Sequence, residues 1–156
     1  MFKSILVGMD RSDQAWAALK EAVDIARTEG SALTVLVAYS TNLFWIASAP
    51  MDQTTVDDYL AAVHRDAQRL ADEVADAIPR EVNPQILMVD GDPAQSIVDQ
   101  AASGGHDLIV VGSRGRGDVT SLMLGSVSHA VLHHSRVPVL IVHVPVIEKA
   151  KSGIPR

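Results

Sequence analysis

The 156-residue sequence contains no cysteine. That absence excludes a disulfide framework, a thiolate nucleophile, an iron–sulfur cluster and a cysteine-based zinc site, and it suits a reducing compartment. Positive charge is scarce, with 13 lysines and arginines against 19 aspartates and glutamates and a formal net charge of −6. A general nucleic-acid binder needs a basic stripe to displace counterions from phosphates, so that class is excluded. A small phosphate ligand held by local backbone donors is not. Long apolar runs are missing too. The stretch from Ile5 to Met9, interrupted by Gly8, is too short for a signal peptide, and nothing approaches the roughly 18 apolar residues of a membrane span. There is no internal repeat and no low-complexity segment. The expectation is a soluble, cytoplasmic protein.

What is present is ordinary globular composition: 47% apolar and 21% charged residues, which excludes disorder as a description of the whole chain. The length fits one domain that buries about 70% of its unfolded surface. Apolar runs and helical patterns alternate. Strands are expected over 4–9, 32–39, 85–89, 108–111 and 137–144. Trp16, Leu19, Val23 and Ala26 mark a first helix closed by Gly30. Val56, Leu60, Val63, Ala67, Leu70, Val74 and Ala77 step by four and three along a long amphipathic helix that Pro79 ends. Two shorter helices follow over 93–103 and 125–135, and the chain from Pro145 onward reads as a fraying tail. Five strands separated by four helices signify βαβ units, an α/β sandwich with a five-stranded parallel sheet in order 3-2-1-4-5. In such sheets ligands bind outside the carboxyl ends of the strands, so the loops after Met9, Tyr39, Val89 and Val111 are the places to search.

The loop after Val111 is the informative one. It runs Gly112-Ser113-Arg114-Gly115-Arg116-Gly117 and reaches a helix that opens at Gly125-Ser126-Val127-Ser128. Glycines allow close backbone approach to a ligand. The first N–H groups of the helix lack partners within it, and its dipole favours an anion. The hydroxyls of Ser126 and Ser128 are further donors, and Arg114 and Arg116 bring positive charge. These features describe a site for a phosphorylated ligand; the competing reading is a surface loop leading into a serine-started helix. Three better-known motifs fail. Gly-Ser-Val at 125–127 has no P-loop lysine. Gly115-Arg116-Gly117 is followed by Thr120 where a dinucleotide fingerprint needs glycine. A nucleophile elbow around Ser113 needs glycine where Val111 stands.

The spacing Gly112-x2-Gly115-x9-Gly125-Ser126 does fit a pattern, and with it the sequence resembles a universal stress protein of the ATP-binding kind. The resemblance runs to about Val144. It includes Val7 to Ser12, the Gly91-Asp92-Pro93-Ala94 turn, Asp107 to Gly115, Leu124 to Ser128 and Val137 to Val142. It implies a domain over 1–145 with a flexible tail over 146–156, and an adenine nucleotide, ATP or AMP, across the strand ends. Mg²⁺ or Mn²⁺ would be held through the phosphates. By that analogy Met9 and Asp10 line the base and ribose side, and Ala38 stands where the family usually has valine against the adenine. Val111 and Gly112 lie beside the ribose, Arg114 and Gly115 approach the phosphates, and Gly125, Ser126, Val127 and Ser128 hold them. The resemblance also implies a homodimer through the last strand, Val137 to Val144, and unidentified protein partners.

Other signals read as structural. Ser12 is expected to cap the first helix, leaving Asp10 to face the pocket. His129 and His133 have zinc-compatible spacing but no apparent third ligand, and with His134 they read as solvated residues near a helix C-terminus. Asp57, Asp58, Asp66, Asp72, Glu73 and Asp76 read as the solvated face of the long helix. Tyr39, Phe44 and Trp45 crowd the connection over 40–54, as packing under that helix or as a lid or partner surface. No catalytic residue and no protein metal site is assigned. The function expected is a nucleotide-binding signalling module of the stress response, with a nucleotide-independent scaffold and a slow hydrolase as alternatives.

Overall fold

The computed structural model describes residues 1–42, 52–114 and 124–144. Its elements are β1 (Ser4–Met9), α1 (Asp13–Glu29), β2 (Ala32–Tyr39), α2 (Gln53–Ala77), β3 (Gln85–Asp90), α3 (Pro93–Ser103), β4 (Leu108–Gly112), α4 (Ser126–His134) and β5 (Val139–Val142). A short 3-10 turn, Arg80–Val82, which the sequence pattern did not reveal, joins α2 to β3. The five strands form one parallel sheet in the order β3-β2-β1-β4-β5, as expected. No helix among the described residues is long and apolar enough to cross a membrane.

Alternation along the strands divides the core. Ile5, Val7, Met9, Val35, Val37 and Val110 pack with α1 and α2 on one face. Leu6, Leu36, Ile109 and Val111 pack with Ile97 of α3 and Val131 of α4 on the other. Strands buried on both faces are what near-continuous apolar runs specify. The helix boundaries follow local chemistry. Ser12 Oγ accepts from Ala15 N at 3.1 Å, Asp52 caps α2 and Asp92 caps α3 in the same way, and Gly30 closes α1 at φ 70.

β5 is shorter than its apolar run. After Val142 the chain runs beyond the end of β4 at Gly112, and the Gln14 side chain takes over the backbone groups of Val144. Gln14 Nε2 donates to Val144 O at 3.0 Å, and Val144 N donates to Gln14 Oε1 at 2.7 Å.

At the amino end of the sheet His106 is 7% exposed. Its Nδ1 shares a hydrogen bond with Ser4 Oγ at 2.9 Å, and its Nε2 has no partner among the described residues. Burial pushes the imidazole pKa down, opposed by the nearby Asp107 carboxylate. The unfolded chain therefore takes up a proton at a higher pH than the folded one. The stability associated with neutral His106 is complete above about pH 6.5 and is lost as pH falls from there through the folded pKa. The melting temperature is expected to fall between pH 7.5 and 5.5, and His106→Leu is expected to flatten that slope. An equal slope in both proteins, read by calorimetry, would remove His106 from the account.

Candidate functional site

The carboxyl ends of β1, β2 and β4 open into a cavity of about 790 Å³. Its floor and sides are Asp10 after β1, Val37 to Ser40 at the end of β2, and Arg114 after β4. Gly125, Ser126 and Val127 at the start of α4 close one side. Beneath it lies a recess of about 80 Å³ that shares Asp10, Ala38, Arg114 and Val127 with the larger space. Met9, Val111, Gly112 and Ser128 line this recess. The ten described residues singled out in the sequence thus fall on the walls of two neighbouring spaces. Gly115, the Phe44–Trp45 segment and the 146–156 tail lie outside the described residues.

The individual placements differ in character. Met9 and Val111 are 4% and 3% exposed and belong to the core as much as to the recess. Asp10 Oδ1 accepts from Ser12 N at 3.0 Å and Ser12 Oγ at 2.5 Å, so the carboxylate also braces the cap of α1. Ser128 is buried, and its hydroxyl donates to Ser113 O and Gly125 O, both at 3.0 Å. Ser126 is exposed on the cavity wall. α4 begins without a side-chain cap, because its N-cap is Gly125. Its N-cap residue thus supplies no side-chain acceptor to the first-turn N–H groups, unlike Ser12, Asp52 and Asp92 at the starts of α1, α2 and α3.

Ser113 is the knot that holds this end of the molecule together. Its N donates to Val142 O at 2.8 Å, and its carbonyl accepts from Gly125 N at 2.7 Å. Its hydroxyl lies 3.2 Å from Gln14 Oε1 and 3.0 Å from His143 Nδ1. The start of α1, the ends of β4 and β5 and the start of α4 are all tied there. Gly112, next to it, has a further structural reason to be glycine. A Cβ at this position would lie 2.7 Å from the backbone carbon of Gln14, so α1 approaches β4 too closely for any side chain.

Sequence reasoning missed one wall. Ala62, Val63, Asp66, Ala67 and Leu70 of α2 face the larger cavity. Asp66 and Glu73, read as solvated, are partners of Arg11. Tyr39 lines the cavity and meets the ring of His64 edge-on, with centroids 5.8 Å apart. The only available signal was the small size of Ala62 and Ala67, which is indistinguishable from ordinary helix composition. On α4, His129, His133 and His134 are exposed, with the first two rings parallel at 6.4 Å. No group of three metal-capable side chains occurs among the described residues.

Residues 1–143 match the model of the universal stress protein family. The chain belongs to the universal stress protein family. It is 34% identical over 149 residues to universal stress protein YxiE of Bacillus subtilis, an alignment covering 91% of this chain and 99% of that protein. Among solved structures it is similar to universal stress protein UspA from Lactobacillus plantarum, with TM-score 0.69, 29% identity and coverage of 90% of this chain and 97% of that one. It is also similar to a universal stress protein in complex with cAMP, with TM-score 0.58, 27% identity and coverage of 91% and 97%. The sheet order and the helices around it are those of this family's fold.

Proposed function

We propose that this universal stress protein binds an adenine nucleotide, ATP in the first instance, in the cavity at the carboxyl ends of β1, β2 and β4, and works as a cytoplasmic signalling module whose occupancy partners read. The observation that carries the reading is the start of α4. Its N-cap is a glycine with no side chain to offer as a cap, and that glycine lines the cavity together with Arg114. Helix N-termini of this kind favour phosphate through free N–H groups and the helix dipole. A volume of about 790 Å³ is within the range of small-molecule pockets. The apolar side formed by Val37, Ala38 and Val63 suits a base, and the α4 end suits the phosphates. The similar universal stress protein in complex with cAMP supports an adenine nucleotide as the ligand class. In this reading Mg²⁺ or Mn²⁺ is carried by the phosphates. Met9, Val111 and Gly112 shape the floor, Asp10 faces the ribose, and Ser128 supports the loop from behind.

The test is the nucleotide carried by gently purified protein, released by denaturation and identified by mass, with calorimetric titration of ATP and Mg²⁺. Bound ATP, AMP or cyclic AMP is the expected result. Protein that carries none, and gives no heat with any adenine nucleotide, would leave a nucleotide-independent scaffold as the better reading.

The reading includes a homodimer through the last strand. β5 is at the sheet edge, its four residues are half-buried, and an apolar edge pairs with another chain unless it is blocked. Light scattering is expected to give twice the 16.7 kDa chain mass; a mass of one chain at micromolar concentration would refute the dimer.

A further inference from the structure

Arg11 stands between the cavity residue Asp10 and the α1 cap Ser12, with φ 67. A long side chain adopts that left-handed backbone only at a cost, and such costs persist where the surrounding structure over-determines the residue. What over-determines Arg11 lies on α2. Its Nη1 is 2.8 and 3.0 Å from the two carboxylate oxygens of Asp66, and its Nη2 donates to the Asp66 carbonyl at 3.2 Å. Nη2 is also 3.6 Å from Glu73 Oε1, seven residues further along the helix.

The contact falls where α2 changes character. No residue from Gln53 to Asp66 is buried, whereas Ala67, Leu70, Ala71 and Val74 are. Apolar burial therefore fixes the second half of α2 far more firmly than the first. Yet Ala62, Val63 and Asp66, at the end of that weakly anchored half, form a wall of the larger cavity. The strained loop that follows β1 thus reaches across to a stretch of wall that apolar packing anchors weakly.

We propose that Arg11 is the positioning residue of this site: it pins the α2 wall against the β1–α1 loop and cancels the Asp66 charge that would otherwise confront an anionic ligand. The wall-pinning part stands independently, and the charge-cancelling part rests on the nucleotide reading above. The Arg11 and Asp66 side chains are 27% and 57% exposed, so solvent screens the pair. An effect of about fivefold is expected, the upper end for an exposed pair of favourable geometry.

Arg11→Gly tests this cleanly, because glycine adopts φ 67 without penalty and the variant loses the side chain without acquiring strain. Hydrogen exchange is measured on protein without added nucleotide, followed by titration with ATP and with adenosine. Amides 57–66 are expected to exchange about fivefold faster in Arg11→Gly, with 67–77 unchanged and the melting temperature equal or higher. Arg11→Lys, which keeps the charge but not the fork, is expected to fall between the two. ATP affinity is expected to drop more than adenosine affinity, and Asp66→Asn in the Arg11→Gly background is expected to recover most of that difference. Unchanged exchange over 57–66, or equal acceleration over 67–77, would overturn the pinning of the wall. Equal losses for ATP and adenosine would overturn the charge cancellation. A wild-type protein that binds neither ligand would remove the nucleotide reading and the charge-cancelling part with it, while the exchange data still decide the wall.

Discussion

Gly125→Val is expected to weaken ATP binding at least tenfold while lowering the melting temperature by no more than about 4 °C. The stability half of this expectation follows from the backbone. Gly125 has φ −64 and ψ 160, an extended conformation that a β-branched residue adopts readily. Its N–H still donates to Ser113 O, and its carbonyl still accepts from His129 N at 2.9 Å. None of these bonds involves a side chain at position 125, but valine is a poorer N-cap than glycine, so the substitution is expected to cost about 1 kcal/mol, roughly 2–4 °C for a chain of this size. The binding half follows from position. Gly125 lies on the cavity wall directly before the first turn of α4. An isopropyl group there competes for the space in which a phosphate would meet the helix N–H groups, and tenfold is only 1.4 kcal/mol. Ser126→Ala is the companion: loss of one hydrogen bond to a charged group costs about 1.5–3 kcal/mol, so ATP is expected to lose roughly tenfold or more and adenosine very little. If Gly125→Val binds ATP as wild type does, the phosphates are not at α4. If it unfolds, Gly125 is a structural turn.

The parts of the molecule legible in the sequence are those where one local rule decides. β-branched runs and 3.6-residue spacing placed every strand and long helix, because strands buried on both faces leave no polar alternation to confuse the reading. Ser12 and Gly30 were readable as caps since each acts on its own helix. The end of β5 was not, because it depends on a side chain 130 residues away: Gln14 captures Val144. The α2 wall was hidden for a similar reason. Asp66 and Glu73 carry the same spacing as any solvated helix face, and it is Arg11, at a left-handed turn far away in sequence, that brings a guanidinium to them. His106 read as one histidine among six, and its burial comes from contacts that no periodicity announces.

Gly112→Ala is expected to cost about 2–3 kcal/mol of stability, the upper part of the range for core overpacking, and to lower the melting temperature by roughly 5–10 °C. The glycine motif invites a ligand-based explanation of every glycine in it, and this variant separates the two causes. A Cβ on Gly112 would sit 2.7 Å from the carbon and Cβ of Gln14 and 2.9 Å from its carbonyl oxygen. The carbonyl carbon and oxygen are backbone in the first turn of α1, so relief requires the helix start to move. Gln14 cannot shift without disturbing its two bonds to Val144 and its contact with Ser113. The same methyl added at Gly8 provides the control. It would meet Ile97 Cδ1 at 2.6 Å, the far end of a side chain that can turn, so Gly8→Ala is expected to cost less despite the shorter distance. Denaturant unfolding of both variants without nucleotide checks the order. A Gly112→Ala protein as stable as wild type, or a Gly8→Ala protein that is the weaker of the two, would show that α1 yields more easily than its hydrogen bonds imply and would return Gly112 to the ligand.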